Sequence, residues 1–345
     1  MPNYTTINKS TDYFNTKLYT GNGSTQSITG VGFQPDLTWV KVTSETGSHR
    51  LADAVRGNTK YSFPNGLDAE STISTNITSW NADGFALGNG SINENTRTYA
   101  SWNWLASNTT ASNTDGSITS TVSANTTSGF SIVTYTGTGA NATIGHGLGN
   151  IPRLIIVKRR DGSTSWTVLG NGENQPGSNF YGKLNSKDGF ADSDTRWNDT
   201  DPTTSVFTVG TDGSVNASGG TYVAYVFSEV TGFFKAGLYQ GNGNADGAFI
   251  YTGGKPSLIL MRPNIADKDW YLMDNKRNGF NSSLKAVYPN DSSAGPDLSG
   301  YLDIYSNGFK VTTTDNSFNG LGNSYQYWCW MQSIVGSNNI PATAR

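Results

Sequence analysis

The chain has 345 residues, enough for two or three domains with real cores, but only 35% are hydrophobic and 14% charged, against roughly 45–50% and 25% in ordinary globular chains. Gly, Ser, Thr and Asn fill the difference, which disfavours helical bundles and favours short strands joined by polar turns, while an aromatic content of 12% argues against disorder. A net charge of −3 creates no field for a polyanion or an anionic bilayer, and no run of 18 apolar residues offers a span, so neither nucleic acid nor membrane insertion is expected.

Residues 1–12 have little to bury and are expected to form an extended arm, with Tyr4, Ile7 and Tyr13 as the side chains that would dock it on a partner. Three aligned segments follow. LYTGNGSTQSITGVGFQPDLTWVK begins at residue 18, TYTGTGANATIGHGLGNIPRLIIVK at 134, and LYQGNGNADGAFIYTGGKPSLILMR at 238. In each, a tyrosine (Tyr19, Tyr135, Tyr239) precedes a Gly-x-Gly pair, and a proline (Pro35, Pro152, Pro256) arrives 16 or 17 residues after it. An apolar strand then ends in a basic residue, Lys41, Lys158 or Arg262. Phe14, Phe130 and Phe234 sit five residues before the tyrosines. Downstream, Phe85, Phe207 and Phe309 open a strand, followed by YASWNW, YVAYVF and YQYWCW. Aromatics at alternate positions put large rings on one strand face, the expected core side.

A period of about 104–116 residues is too long for a solenoid or propeller unit and matches a β-sandwich or jelly-roll. The predicted fold is therefore all-β, with three tandem β-sandwich or jelly-roll-like domains at 13–106, 129–230 and 231–345. Residues 107–128, SNTTASNTDGSITSTVSANTTS, read as a linker with an edge strand near 118–122. No spacer separates the second and third units, which should pack closely.

The Gly-x-Gly pairs read as turns: a dinucleotide fingerprint needs a third glycine and a following helix, and here another strand follows. No G-x-S-x-G elbow occurs. His146 lies in a glycine-rich turn and His49 in an expected exposed loop. Cys329 has no partner for an intramolecular disulfide, and alternation points it away from Trp328 and Trp330 as packing. Lys158-Arg159-Arg160, balanced by Asp161, reads as a charged strand end or a protein contact.

Carboxylates gather once, at Asp188, Asp192, Asp194, Asp199 and Asp201 around Trp197. Oxygen-rich loops can hold calcium or supply an acid and a base for glycoside hydrolysis, so Asp192, Asp194, Asp199 and Asp201 are the candidate metal ligands. The run departs from EF-hand order, and a solvated loop is the competing reading. Trp166, Tyr181, Trp197, Trp270 and Tyr271 lie outside the repeating aromatic frame and are the candidate ligand-binding rings, able to stack on sugars or anchor a protein if exposed. Trp166 and Trp270 follow the basic strand at comparable places, which argues instead for a shared core role.

The second unit, GFSIVTYTGTGANATIGHGLGNIPRLIIVKRRDGSTSWTVL at 129–169, resembles a module of tailed-phage virion surface proteins, marine ones especially. In the first unit INKSTDYFNTKLYTG, GVGFQPDLTWVK and ADAVRG resemble the opening of such proteins. The likeness covers nearly the whole chain; the third unit departs most, with Gly253-Gly254-Lys255 where the second has Gly149-Asn150-Ile151. The resemblance implies a non-enzymatic virion protein, a tail fibre or appendage component for host attachment or a capsid decoration protein. It would be assembled in the host cytoplasm without a signal peptide and would bind other virion proteins. The expected form is a homo-oligomer, a trimer being the candidate, although no heptad or trimeric β-helix repeat is present. The alternative is a carbohydrate-binding adhesin or glycan-degrading appendage directed at a host surface glycan. No cofactor is expected; calcium is the candidate ion.

Overall fold

Three antiparallel sheets of matching strand order make up most of the molecule, as the β-branched, aromatic and turn-rich sequence requires. The structure, a computed structural model, describes residues 5–277, 281 and 284–334. The fold is all-β. In the first sheet Phe14–Thr20 pairs with Thr98–Trp104, which pairs with Leu37–Val42, which pairs with Arg50–Asp53. The order recurs as Phe130–Thr136, Thr221–Ser228, Pro152–Arg159 and Thr167–Gly170, and again as Phe234–Gln240, Ser324–Ser333, Gly254–Pro263 and Tyr271–Asp274. Pro152 and Pro256 each precede a register shift, consistent with proline's tolerance at strand starts and bulges. No described helix is long and apolar enough to cross a membrane.

The central strands of each sheet are buried on both faces, which is why all six residues of Leu37–Val42 are buried and why these strands read as apolar runs. One face carries a small outer sheet: Gln26–Ile28, Gly84–Leu87 and Ile77–Asn81 in the first unit, Ala142–Gly145 with Val206–Val209 in the second, and Phe249–Tyr251, Gly308–Val311 and Leu302–Tyr305 in the third. Each pair of layers encloses a core of its own.

The opposite faces of all three sheets meet in one shared core. At its centre Trp104, Phe227 and Trp330, one from each unit, lie 5.1–6.2 Å apart between ring centroids. Phe14, Phe130 and Phe234 back them at 4.6–5.1 Å. The units are therefore joined through a common interior and do not form a string of independent sandwiches. A void of about 20 Å³ lies among these rings, bordered only by apolar side chains, too small and too dry to be a ligand site.

The segment 107–128, expected as a linker with an edge strand near 118–122, supplies two strands. Ala111–Asn113 pairs with Ser120–Asn125, which pairs with Phe130–Thr136 and extends the second sheet. Val122 turns inward and is buried, and Ser120 donates its hydroxyl to the carbonyl of Gly145 at 2.8 Å. Edge strands need few large apolar residues, so low complexity did not exclude pairing. The arm is also not free along its described length. Ile7 is buried in the shared core, and Tyr13 packs edge-on to Phe233 at 6.1 Å; Tyr4 lies outside the described residues.

Candidate functional site

The strongest convergence of polar and aromatic side chains lies along the seams between units, because each unit lends the same positions to its neighbour. Trp166 donates its indole N–H to the carbonyl of Phe63 in the first unit, and Trp270 donates to Lys183 in the second, both at 2.9 Å. The corresponding residue of the first unit is His49: the backbone N–H groups of His49, Trp166 and Trp270 all donate to an asparagine, Asn65, Asn185 or Asn290, at 2.8–2.9 Å. His49 Nε2 donates to the carbonyl of Tyr288 in the third unit at 2.9 Å. The donations run second to first, third to second and first to third, so the ring closes.

A second set repeats the pattern. The ammonium of Lys41 donates to Ser292 in the third unit at 3.2 Å, Lys158 to Leu67 in the first at 2.8 Å, and the guanidinium of Arg262 to Lys187 and Asp188 in the second at 2.8 and 2.5 Å. The basic residue that ends each apolar strand is thus buried against its neighbour's loop carbonyls. Burial lowers the pKa of Lys41 and Lys158 to about 8 and that of Arg262 to about 10. In the third set, Trp102 donates to Asp274 Oδ2 at 3.3 Å, Tyr225 to Asp53 Oδ2 at 2.9 Å, and Trp328 to the carbonyl of Arg153 at 3.3 Å.

Two seams hold a carboxylate–arginine pair three residues apart, Asp53 with Arg56 at 2.5 Å and Asp274 with Arg277 at 2.6 Å. Arg56 also reaches Glu70 at 2.8 Å, and Glu70 meets Arg160 of the second unit at 2.9 Å. Burial alone would raise the Glu70 pKa, but the Arg160 hydrogen bond and the Arg56 charge outweigh it and hold the carboxyl below its usual range. The seam between the second and third units departs from this, because Gly170 stands where the others have aspartate. A Cβ there would lie 2.6 Å from Gln326 Oε1 and 2.9 Å from the Trp328 ring.

These contacts decide the fate of the candidate ligand-binding rings. Trp166, Trp197 and Trp270 are 0% exposed and Tyr271 is buried, so none presents a face to a sugar; their apolar area is spent in the cores. Tyr181 is half-buried with the Arg196 guanidinium 4.5 Å above its ring. The carboxylates do not converge either. Asp192, Asp194, Asp199 and Asp201 are exposed; Asp201 accepts the N–H of Ser178 at 3.0 Å, and Asp188 pairs with Lys183 at 2.9 Å. Among the described residues no three His, Cys, Asp or Glu side chains are gathered as a calcium site would require.

His49, expected in an exposed loop, is fully buried. The signal for it was an asparagine downstream, sixteen residues after His49 and nineteen and twenty after Trp166 and Trp270. Its Nδ1 accepts the indole N–H of Trp39 at 2.8 Å while Nε2 donates, so the neutral ring is satisfied at both nitrogens. Burial first, and then the Lys41 charge, push its pKa down to about 3. His146 Nδ1 accepts the Leu148 N–H at 3.2 Å, and burial lowers its pKa too. Cys329 is fully buried, which raises its thiol pKa and leaves it inert. A cleft of about 580 Å³ opens between Tyr99 and Thr43 of the first unit and Arg277, Lys285 and Pro296 of the third.

No curated protein and no solved structure matches the chain. Residues 9–333 match the family described as a domain of unknown function (DUF7483), and the chain belongs to that family.

Proposed function

We propose that the chain is a non-enzymatic structural protein of a phage virion surface, in a tail appendage or as a capsid decoration, and that its work is mechanical and adhesive. The observation that carries this reading is the closed ring of seams, which ties buried titratable and aromatic groups into inter-unit hydrogen bonds. Side chains used this way lock a rigid body and are unavailable as nucleophile or base. The resemblance of 129–169 and of the first unit to virion surface modules supports the same assignment. Because three units of one chain already complete a ring, closure needs no further copy, and contacts to other virion proteins would use the outer surfaces. Calcium enters no step of this reading.

Mass spectrometry of purified particles from infected cells, followed by electron cryomicroscopy, tests it. The chain should be found at stoichiometric copy number, with density for a three-lobed body on the head lattice or at the tail. Its absence from washed particles would overturn the assignment. A second reading, a glycan-binding appendage, is favoured by one exposed aromatic face on the third unit.

A further inference from the structure

On the outer sheet of the third unit the register puts six residues in two rows on one face. Phe249 lies opposite Lys310, which lies opposite Asp303; Tyr251 lies opposite Gly308, which lies opposite Tyr305. Intervening residues Ile250, Phe309 and Ile304 point the other way and are buried, so the side chains of Phe249, Tyr251, Asp303, Tyr305 and Lys310 face outward, with Gly308 buried beneath them. Phe249 is 47% and Tyr251 49% exposed, and the Phe249 ring stands edge-on to Tyr305 at 5.7 Å across Gly308. Gly308 has no room for a side chain: a Cβ there would lie 2.1 Å from the carbonyl oxygen of Ile250 and 3.0 Å from the Phe249 ring. Lys235 lies 5.8 Å from the Tyr251 ring centre, and Lys310 pairs with Asp246.

The fold does not need these rings, and the other two units show it. The residues facing Phe85, Phe207 and Phe309 across the outer sheets are Ile28, Ile144 and Ile250. The position before each isoleucine is Ser27, Thr143 or Phe249, and the position after it is Thr29, Gly145 or Tyr251. The place of Tyr305 is held in the first unit by Asn81, opposite Gly84. Aromatic rings therefore stand only in the third unit, on a surface that its siblings build from small polar residues.

We propose that this face is a carbohydrate-binding site for neutral hexose rings. Size argues against a protein partner: three strands by about three residues span roughly 10 Å by 10 Å, near 100 Å² against the ~800 Å² per side of a stable protein interface. Charge argues against an anionic ligand, since Lys235 and Lys310 are offset by Asp246 and Asp303. A pyranose offers a face of polarised C–H bonds that lies well on the negative face of an aromatic ring, and its hydroxyls both donate and accept, matching a rim of mixed lysine and aspartate. Exposed rings and a neutral polar rim fit that chemistry together. The site does not depend on the virion assignment, because a chain absent from particles would still bind.

The test uses the fluorescently labelled full chain on a printed array of neutral and acidic glycans, beside the triple variant Phe249→Thr, Tyr251→Thr, Tyr305→Asn. These substitutions borrow residues from the sibling units, and circular dichroism and the melting curve check that the fold survives; Tyr251→Thr alone serves if the triple variant does not fold. Wild type should bind at least one neutral glycan series, with binding at least tenfold weaker in the variant. Binding of no neutral glycan, binding of acidic glycans only, or neutral binding unchanged in the folded variant would each overturn the proposal. So would a wild-type dimer in sedimentation that the variant renders monomeric, since the face would then be a contact between copies.

Discussion

Gly137 has no room for a side chain, since a Cβ would stand 2.4 Å from the carbonyl oxygen of Ala217; Gly21 and Gly241 meet Glu94 and Gly320 in the same way at 2.2 and 2.3 Å. The Tyr-x-Gly-x-Gly pattern was legible in the sequence as a recurring turn. Its purpose was not, because the loop it grips lies some eighty residues downstream. Tyr19, Tyr135 and Tyr239 each stack on a second tyrosine at 4.9–5.0 Å, and Gly137 donates to Gly220 beside the pair. Gly137→Ala should therefore cost about 2–3 kcal/mol in urea unfolding, as steric clashes with backbone do, whereas Gly149→Ala, with open space around its Cβ but φ of 71°, should cost about 1 kcal/mol. Equal costs would mean that the close approach is not what selects glycine. At His49 the proton count sets the sign. The folded state keeps the ring neutral down to about pH 3, while the unfolded chain protonates it near its ordinary value of about 6.5. Below pH 6.5 the unfolded state binds the extra proton, so stability is fully present above 6.5 and falls as pH drops, by up to about 1.4 kcal/mol per pH unit. Asp36, raised to about 6 by burial, has the opposite slope in part of this window, so the comparison is between wild type and His49→Gln. The variant should lose the His49 part of the slope between pH 6 and 4; identical slopes would mean that the ring is not held neutral.

At the scale of strands and loops, the sequence showed the repeated elements but not what they touch. Alternating aromatics marked the strands Thr98–Trp104, Thr221–Ser228 and Ser324–Ser333 and their core faces correctly. The rings outside that frame were open to two readings, and what buries Trp166 and Trp270 is a loop of another unit about ninety to a hundred residues away, which periodicity cannot register. The edge strand expected near 118–122 lies at Ser120–Asn125, whereas its neighbour Ala111–Asn113 was not legible, since edge strands carry turn-like composition. Seam and non-seam tryptophans give a prediction at this scale. Trp166 donates its N–H across a seam to the Phe63 carbonyl, which also accepts the Gly66 N–H at 3.0 Å, whereas Trp197 sits inside its own unit with no acceptor for its N–H. Trp166→Phe should then destabilise by about 0.5–1.5 kcal/mol more than Trp197→Phe, the net worth of the lost seam hydrogen bond added to a similar loss of volume. Denaturant midpoints of the two variants measure the difference, and equal midpoints would remove the seam bond from the account.

For the whole molecule, the decisive property is that three units close on one aromatic interior. Composition and repeat length made the all-β class and the recurrence legible. Closure was not, because Trp104, Phe227 and Trp330 meet only when all three sheets are in place. A ring of this kind suits a particle surface, since no unit can open without breaking two seams. Excising residues 107–230 should expose Phe130, Phe227, Ile156 and Val168, all part of the shared core, and the fragment should bind a hydrophobic dye and lack a cooperative melt. The most direct test of the shared core is scanning calorimetry of the full chain. A single transition whose calorimetric and van 't Hoff enthalpies agree is the expected result. Two or three separable transitions, with any unit still folded after another has melted, would contradict it.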